Sequence, residues 1–248
     1  MIICKSAREI EIMRKAGRIT AMALSAVGRA VKPGVTTMEL DETARKAIVK
    51  EGGVPAFKGL YGFPGNICLS VNDEVVHGIP GRRRLKEGDI ISVDIGVLIE
   101  GYNGDAAITF PVGKIAPDVE RLLKITAESL HKGIEQAVAG NRIGKISHAV
   151  QTCAETAGFN VVRDYVGHGI GRRMHEDPQI PNFGPENAGP VLKSGMVVAI
   201  EPMVNSGGWQ VKALNDNWTV VTLDGKPSAH FEHTVAITGD GPEILTKL

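Results

Sequence analysis

At 248 residues, the chain is long enough for one large domain or two small ones with a substantial core. Its 28 Lys+Arg balance 28 Asp+Glu, so no net field draws it to nucleic acid or to an anionic membrane. Cys4, Cys68 and Cys153 lack disulfide or metal-finger spacing, charge comes too early in MIICKSAREIEIMRK for a signal peptide, and no apolar run approaches membrane length. These features predict a cytoplasmic protein with reduced thiols.

Taken in order, Ser6-Ala7-Arg8-Glu9 is a capping-box pattern, and apolar residues recur at helical spacing from there to about residue 31. Thr36, with Glu39 three later, opens a second helix that closes near Gly52-Gly53. Residues 57 to 66 are a loop bearing glycines and aromatics. Two short strands around an Asn72-Asp73 turn then deliver His77, and the basic run Arg82-Arg83-Arg84 reads as a solvated loop. Pro117 suits the first turn of a third helix running to about 138, and a fourth spans about 146 to 157. The run 159 to 166 is strand-like and leads to residues 167 to 171, GHGIG, which predict a loop too rich in glycine for regular structure. An irregular segment covers 177 to 190. Strands are expected at 196–204, 209–214, 218–223 and 229–238. Helix pair followed by strands, twice over, predicts an α+β protein with helices packed on curved antiparallel sheet.

Between these elements, residues 85 to 105 are the most informative. Two apolar β-branched runs, on either side of Asp94, lead to Glu100-Gly101, an acid-glycine pair that signals a two-residue hairpin loop. That loop would set residue 94 opposite 107, with 105 its diagonal neighbour, so Asp94 and Asp105 would share a face. Two carboxylates there repel each other unless a proton or a metal lies between them. Residues 85 to 94 also have an echo: LKEGDIISVD matches LKSGMVVAIE from 192 to 201, an offset of 107 residues (192 minus 85). A weaker match at the same offset pairs residues 31 to 40 with 138 to 147. The reading is a single domain, 1–248, of two similar halves, about 1–115 and 116–248.

Five residues end strands or sit beside them: Asp94, Asp105, His168, Glu201 and Glu232. Singly, each would be an ordinary turn, cap or core residue. Together, four carboxylates and one imidazole suit divalent Mn, Fe, Co or Zn in a two-metal site. His77 and His175 stand apart in sequence, and each is either a structural histidine or a hydrogen-bonding group for a substrate carbonyl or amide.

The motifs GHGIG with His175, Asp94 ahead of Gly104-Asp105, Glu201-Pro202-Met203 and Glu232-His233-Thr234 resemble, in order and spacing, the type I methionine aminopeptidases. The resemblance covers about residues 5 to 245. It implies the pseudo-two-fold "pita-bread" fold and removal of the initiator methionine from nascent cytoplasmic chains whose second residue is small. It further implies two divalent ions: Asp94 on one, His168 and Glu201 on the other, Asp105 and Glu232 bridging. His175 would stabilise the oxyanion, His77 would contact the scissile amide, and Glu201 would shuttle the proton. Phe57, Leu60, Phe63, Cys68, Met174 and Trp218 would line the methionine pocket, where some bacterial relatives carry tyrosines at 60 and 63 and an aromatic at 174. Neither the Cys/His-rich extension of eukaryotic relatives nor the helical insertion of the type II branch is expected. A monomer is expected, acting on nascent N-termini, with the ribosome surface as its one candidate macromolecular partner. The competing readings are an X-Pro peptidase of the same fold and a non-catalytic peptide-binding module.

Overall fold

A computed structural model describes residues 1–248. Four helices are placed by their ends. Ser6 and Glu9 form the expected capping box on α1 (Ala7–Ala30), and Thr36 and Glu39 do the same for α2 (Thr37–Lys50). Pro117 opens α3 (Pro117–Glu135), and α4 (Ile143–Thr156) begins three residues earlier than expected, without a side-chain cap. Its start is fixed from outside: Arg142 bridges Val191, and the Ile143 amide donates to the Pro190 carbonyl at 3.1 Å. Thr36 before α2 makes the matching bridge to Arg84.

In the first half, Ile90–Ile99 and Tyr102–Pro111 pair over ten positions. Glu100 and Gly101 both take positive φ, 49° and 80°, the backbone that a two-residue hairpin loop demands. Asp94 therefore faces Ala107 and Asp105 faces Gly96, the expected register. Cys68–Val71 adds to the other edge, with Cys68 opposite Asp94. Helices α1 and α2 cover this sheet, burying Leu24, Val27, Leu40 and Ile48 against Leu69, Ile91, Val93 and Ile95.

The second half holds a five-stranded antiparallel sheet in the order Gly241–Ile244, His233–Thr238, Val197–Ile200, Gly167–Gly169, Glu176–Ile180. Its cover is α3 and α4, which bury Leu130, Ile134, Ile143 and Ile146. The glycine-rich segment is thus an interior strand over Gly167–Gly169 rather than a loop throughout. Its glycines serve close approach: a Cβ on Gly167 would lie 2.4 Å from the Ala199 carbonyl oxygen, and one on Gly169 would lie 2.1 Å from that of Asp177. The strand-like run after Phe159 is regular only over Asn160–Val161. Two long strand expectations break where the chain turns inward. Pro202 has no N–H for a ladder, so 196–204 becomes Val197–Ile200 and Met203–Asn205. Likewise 229–238 becomes Ser228–His230 and His233–Thr238, because Glu232 leaves its own sheet to exchange backbone hydrogen bonds with Ala107 (2.9 and 3.4 Å).

That exchange is the middle of a seam between the halves. On one side of it, the Thr234 hydroxyl accepts from the Asp105 amide and donates to the Asp105 carbonyl, at 2.9 and 2.8 Å. On the other, Thr109 does the same for His230, both at 2.9 Å. Replacing Thr109 by Val keeps the shape but strands a buried N–H and C=O. The expected loss is about 1–3 kcal/mol of stability, read as a lower urea midpoint at unchanged m-value; an unchanged midpoint would remove the seam from the account.

Candidate metal centre and cleft

The seam brings together side chains far apart in sequence. Asp94 and Asp105 come from the long hairpin, His168 from the glycine strand, Glu201 from the end of Val197–Ile200 and Glu232 from the crossing segment. One ligand atom each from Asp105, His168 and Glu232 lies within 4.8 Å of the others. All five line one cleft.

Electrostatically, the cluster is incomplete as a protein-only arrangement. Asp94 Oδ1, Asp105 Oδ1 and Glu232 Oε1 are buried without a hydrogen-bond partner, and no Lys or Arg borders them in the cleft. Burial first, and mutual repulsion second, hold the carboxyls of Asp94, Glu201 and Glu232 well above the usual range. Burial carries Asp105 up to about 7. The imidazole of His168 supplies a second sign. Its Nδ1 lies 2.9 Å from the Gly169 carbonyl, which can only accept, so Nδ1 carries the hydrogen and Nε2 keeps its lone pair. That lone pair faces Glu201 Oε1 at 3.6 Å. A lone pair and a carboxylate oxygen held face to face call for a cation between them. Burial also lowers His168 to about 4, so the ring is neutral near pH 7, as a ligand must be. The donor set therefore fits divalent ions.

Around this floor the wall is apolar: Phe57, Leu60, Phe63, Cys68 and Trp218. Phe63 meets Trp218 edge-on, with ring centroids 5.1 Å apart. Met174 lies behind this wall, buried in the same apolar cluster, where it and Phe57 together close the space beside Gly96. His77 and His175 both reach the cleft. His77 sits at φ 59°, a conformation costly for a non-glycine residue, with Tyr165 and Trp218 edge-on to its ring at 5.7 and 6.4 Å. Burial lowers His77 to about 4 and lowers His175 as well, so both are neutral N–H donors at neutral pH.

Two residues at the site escape the sequence reading. Tyr61, also at positive φ, stacks on His175 at 5.9 Å at the mouth of the cleft. His230 is fully buried, its Nε2 3.6 Å from Glu201 Oε2 and 4.0 Å from Glu232 Oε2, with no hydrogen-bond partner. Neither belongs to a motif; the one available signal for His230 was the alternation of AHFEH, which puts it on the face of Glu232. In the basic run, Arg83 pairs with Glu74 and Arg84 donates to the Gly34 carbonyl, both at 2.7 Å.

A model of metallopeptidase family M24 matches residues 11–239, and the chain belongs to that family. Within it, the chain is 59% identical over 248 residues to methionine aminopeptidase 1 of Bacillus subtilis, covering all of both chains. A crystal structure of methionine aminopeptidase from Thermotoga maritima superposes with a TM-score of 0.99 at 48% identity, again over the whole of both chains. The prolidase from Pyrococcus furiosus gives a TM-score of 0.82 at 25% identity, with 66% of that longer chain covered. The pseudo-two-fold α+β architecture is thus the pita-bread fold, and the chain is a metal-dependent aminopeptidase.

The raised carboxyls set the pH dependence of the metal-free protein. A carboxyl whose folded pKa exceeds its unfolded one favours folding fully only below the unfolded value, and that contribution is lost as pH rises through the folded value. For Asp105 this window runs from about 4 to about 7. Bound divalent ions need the same groups ionised. The rise in Tm on adding Mn(II) is therefore expected to be larger at pH 7.5 than at pH 5.5, measured by scanning calorimetry on stripped protein; an equal or reversed rise would count against carboxylate ligation.

Proposed function

We propose that the chain removes the initiator methionine from nascent polypeptides with a small second residue, using two divalent ions held by Asp94, Asp105, His168, Glu201 and Glu232. One observation carries this reading: partnerless buried carboxylates and a histidine lone pair converge at the floor of an apolar, aromatic-lined cleft. Asp94, Asp105, Glu201 and Glu232 would hold the ions through carboxylate oxygens, and His168 through Nε2. Such ions supply Lewis acidity and bring the pKa of bound water towards neutrality.

The chain's own groups do the rest. Phe57, Leu60, Phe63, Cys68 and Trp218 offer a thioether side chain polarisable and aromatic contacts, with Met174 supporting the wall from behind. His77, neutral and held rigidly by its backbone, donates to the scissile amide. His175 donates to the carbonyl oxygen as negative charge develops there. Glu201, whose carboxyl is raised by burial, takes a proton from the attacking water and returns it to the leaving amine. The Tyr61–His175 stack narrows the mouth on the cleft's open side, which supports exclusion of large second residues. A cytoplasmic monomer meeting nascent chains near the ribosome fits this reading; of the basic run, Arg82 is the member whose side chain makes no ion pair or hydrogen bond.

Metal-stripped protein reloaded with Co(II) or Mn(II) is expected to release methionine from Met-Ala-Ser and not from Met-Lys-Ser. Release from neither, by folded and metal-loaded protein, would shift the reading to a peptide-binding module. Asp105→Ala and Glu201→Ala should abolish turnover. By contrast, His77→Ala should keep its metal content by elemental analysis and lose about 10²-fold or more in kcat. Loss of bound metal in that variant would overturn the role given to His77.

A further inference from the structure

We propose that His230 is a positioning residue for the metal centre: its Nε2–H holds Glu201 by Oε2 and so keeps Oε1 turned to the ions. The inference rests on the metal-centre reading above and assigns a role to a residue outside the five ligands.

Three observations carry it. The first is how the oxygens are sorted. Glu201 presents Oε1 to His168 and Oε2 to His230, each at 3.6 Å, while Glu232 presents Oε2 to His230 at 4.0 Å and leaves Oε1 without a partner. Each glutamate thus has one oxygen on the ligand side and one on the His230 side. Small rotations of either side chain close contacts of this length to hydrogen bonds.

The second is anchorage. His230 is 2% exposed, and its backbone is clamped on both sides by the Thr109 hydroxyl at 2.9 Å. The ring is presented by the seam itself and cannot swing to solvent.

The third is symmetry. Gly96 faces Asp105 in the first half; 107 residues on, Met203 faces His230. His230 thus occupies the position that carries a ligand carboxylate in the first half. An imidazole there, offering a donor to two glutamates, does what a fifth carboxylate would not: it lowers the repulsion in the cluster instead of adding to it.

The test compares His230→Gln, which keeps a side-chain N–H, with His230→Leu, which does not. Affinity for Mn(II) is read by titration calorimetry, and ligand geometry by the visible absorption of the Co(II) form. Wild type and His230→Gln are expected to bind alike with the same Co(II) spectrum, and His230→Leu to bind about 10–100-fold more weakly. If the leucine variant does not fold, His230→Met gives the same comparison. Equal affinity in His230→Leu would overturn the inference. So would a His230→Gln protein that loses metal as fully as His230→Leu and shifts the Co(II) spectrum, because His230 would then be a ligand. Failure of wild type to bind metal would instead overturn the metal-centre reading itself.

Discussion

Four carboxylates buried within reach of one another are the constraint to which the rest of the molecule answers. Asp94, Asp105, Glu201 and Glu232 repel one another in a medium that screens poorly, and no buried Lys or Arg of the cleft relieves them. Side chains so arranged turn away or draw in water unless their backbones are over-determined. The ten-pair hairpin fixes the two aspartates, and the seam fixes Glu232 through its backbone exchange with Ala107. The Asn182 amide holds the Glu201 carbonyl at 3.1 Å. The helices and cores on the outside thus support an interior that is stable only when a cation occupies it or protons neutralise it.

The histidines show how that support becomes chemistry. His168 is suited to a ligand's role because the carbonyl of the next residue, Gly169, fixes which nitrogen bears hydrogen, while the glycines on either side let the strand pass close to Ala199 and Asp177. His77 is held by backbone strain and aromatic edges, His175 by packing between His168 at 4.5 Å and Tyr61 at 5.9 Å. All three are kept neutral by burial, so His77 and His175 can offer N–H donors to the cleft without adding positive charge to it.

Local patterns were legible in the sequence where the physics is local. Ser6/Glu9 and Thr36/Glu39 named their helix starts, and Glu100-Gly101 with period-two alternation gave the Asp94/Asp105 register. The five ligand candidates followed from acids and a histidine at strand ends. What stayed hidden depends on contacts between segments distant in sequence. The start of α4 is set by Pro190 and Val191, not by a cap of its own. The strand at Gly167 looked irregular because glycine disfavours strands, yet here it is required by carbonyls just over 2 Å from where a Cβ would be. His230 gained meaning only once the fold set it beside Glu201, from another segment, as well as its near neighbour Glu232.

The 107-residue repeat explains why the seam and the site coincide. Under that offset Ser92 becomes Ala199, and their partners are Thr109 and Thr234, the two hydroxyls that clamp the opposite half. Asp94 becomes Glu201, both candidate ligands. The residue facing Asp94 is Ala107, and its counterpart Glu232 is the residue with which Ala107 exchanges hydrogen bonds. The pseudo-axis therefore passes through that exchange, and everything near it comes in pairs: Thr109 with Thr234, Ala107 with Glu232, Asp105 with His230. Two of these pairs are chemically unequal, Ala with Glu and Asp with His. A strictly symmetric site would hold either fewer acids for a metal or a further carboxylate with nothing to offset it. The symmetry delivers side chains from both halves to one point, and its breaking at 105/230 and 107/232 sets the balance of charge there.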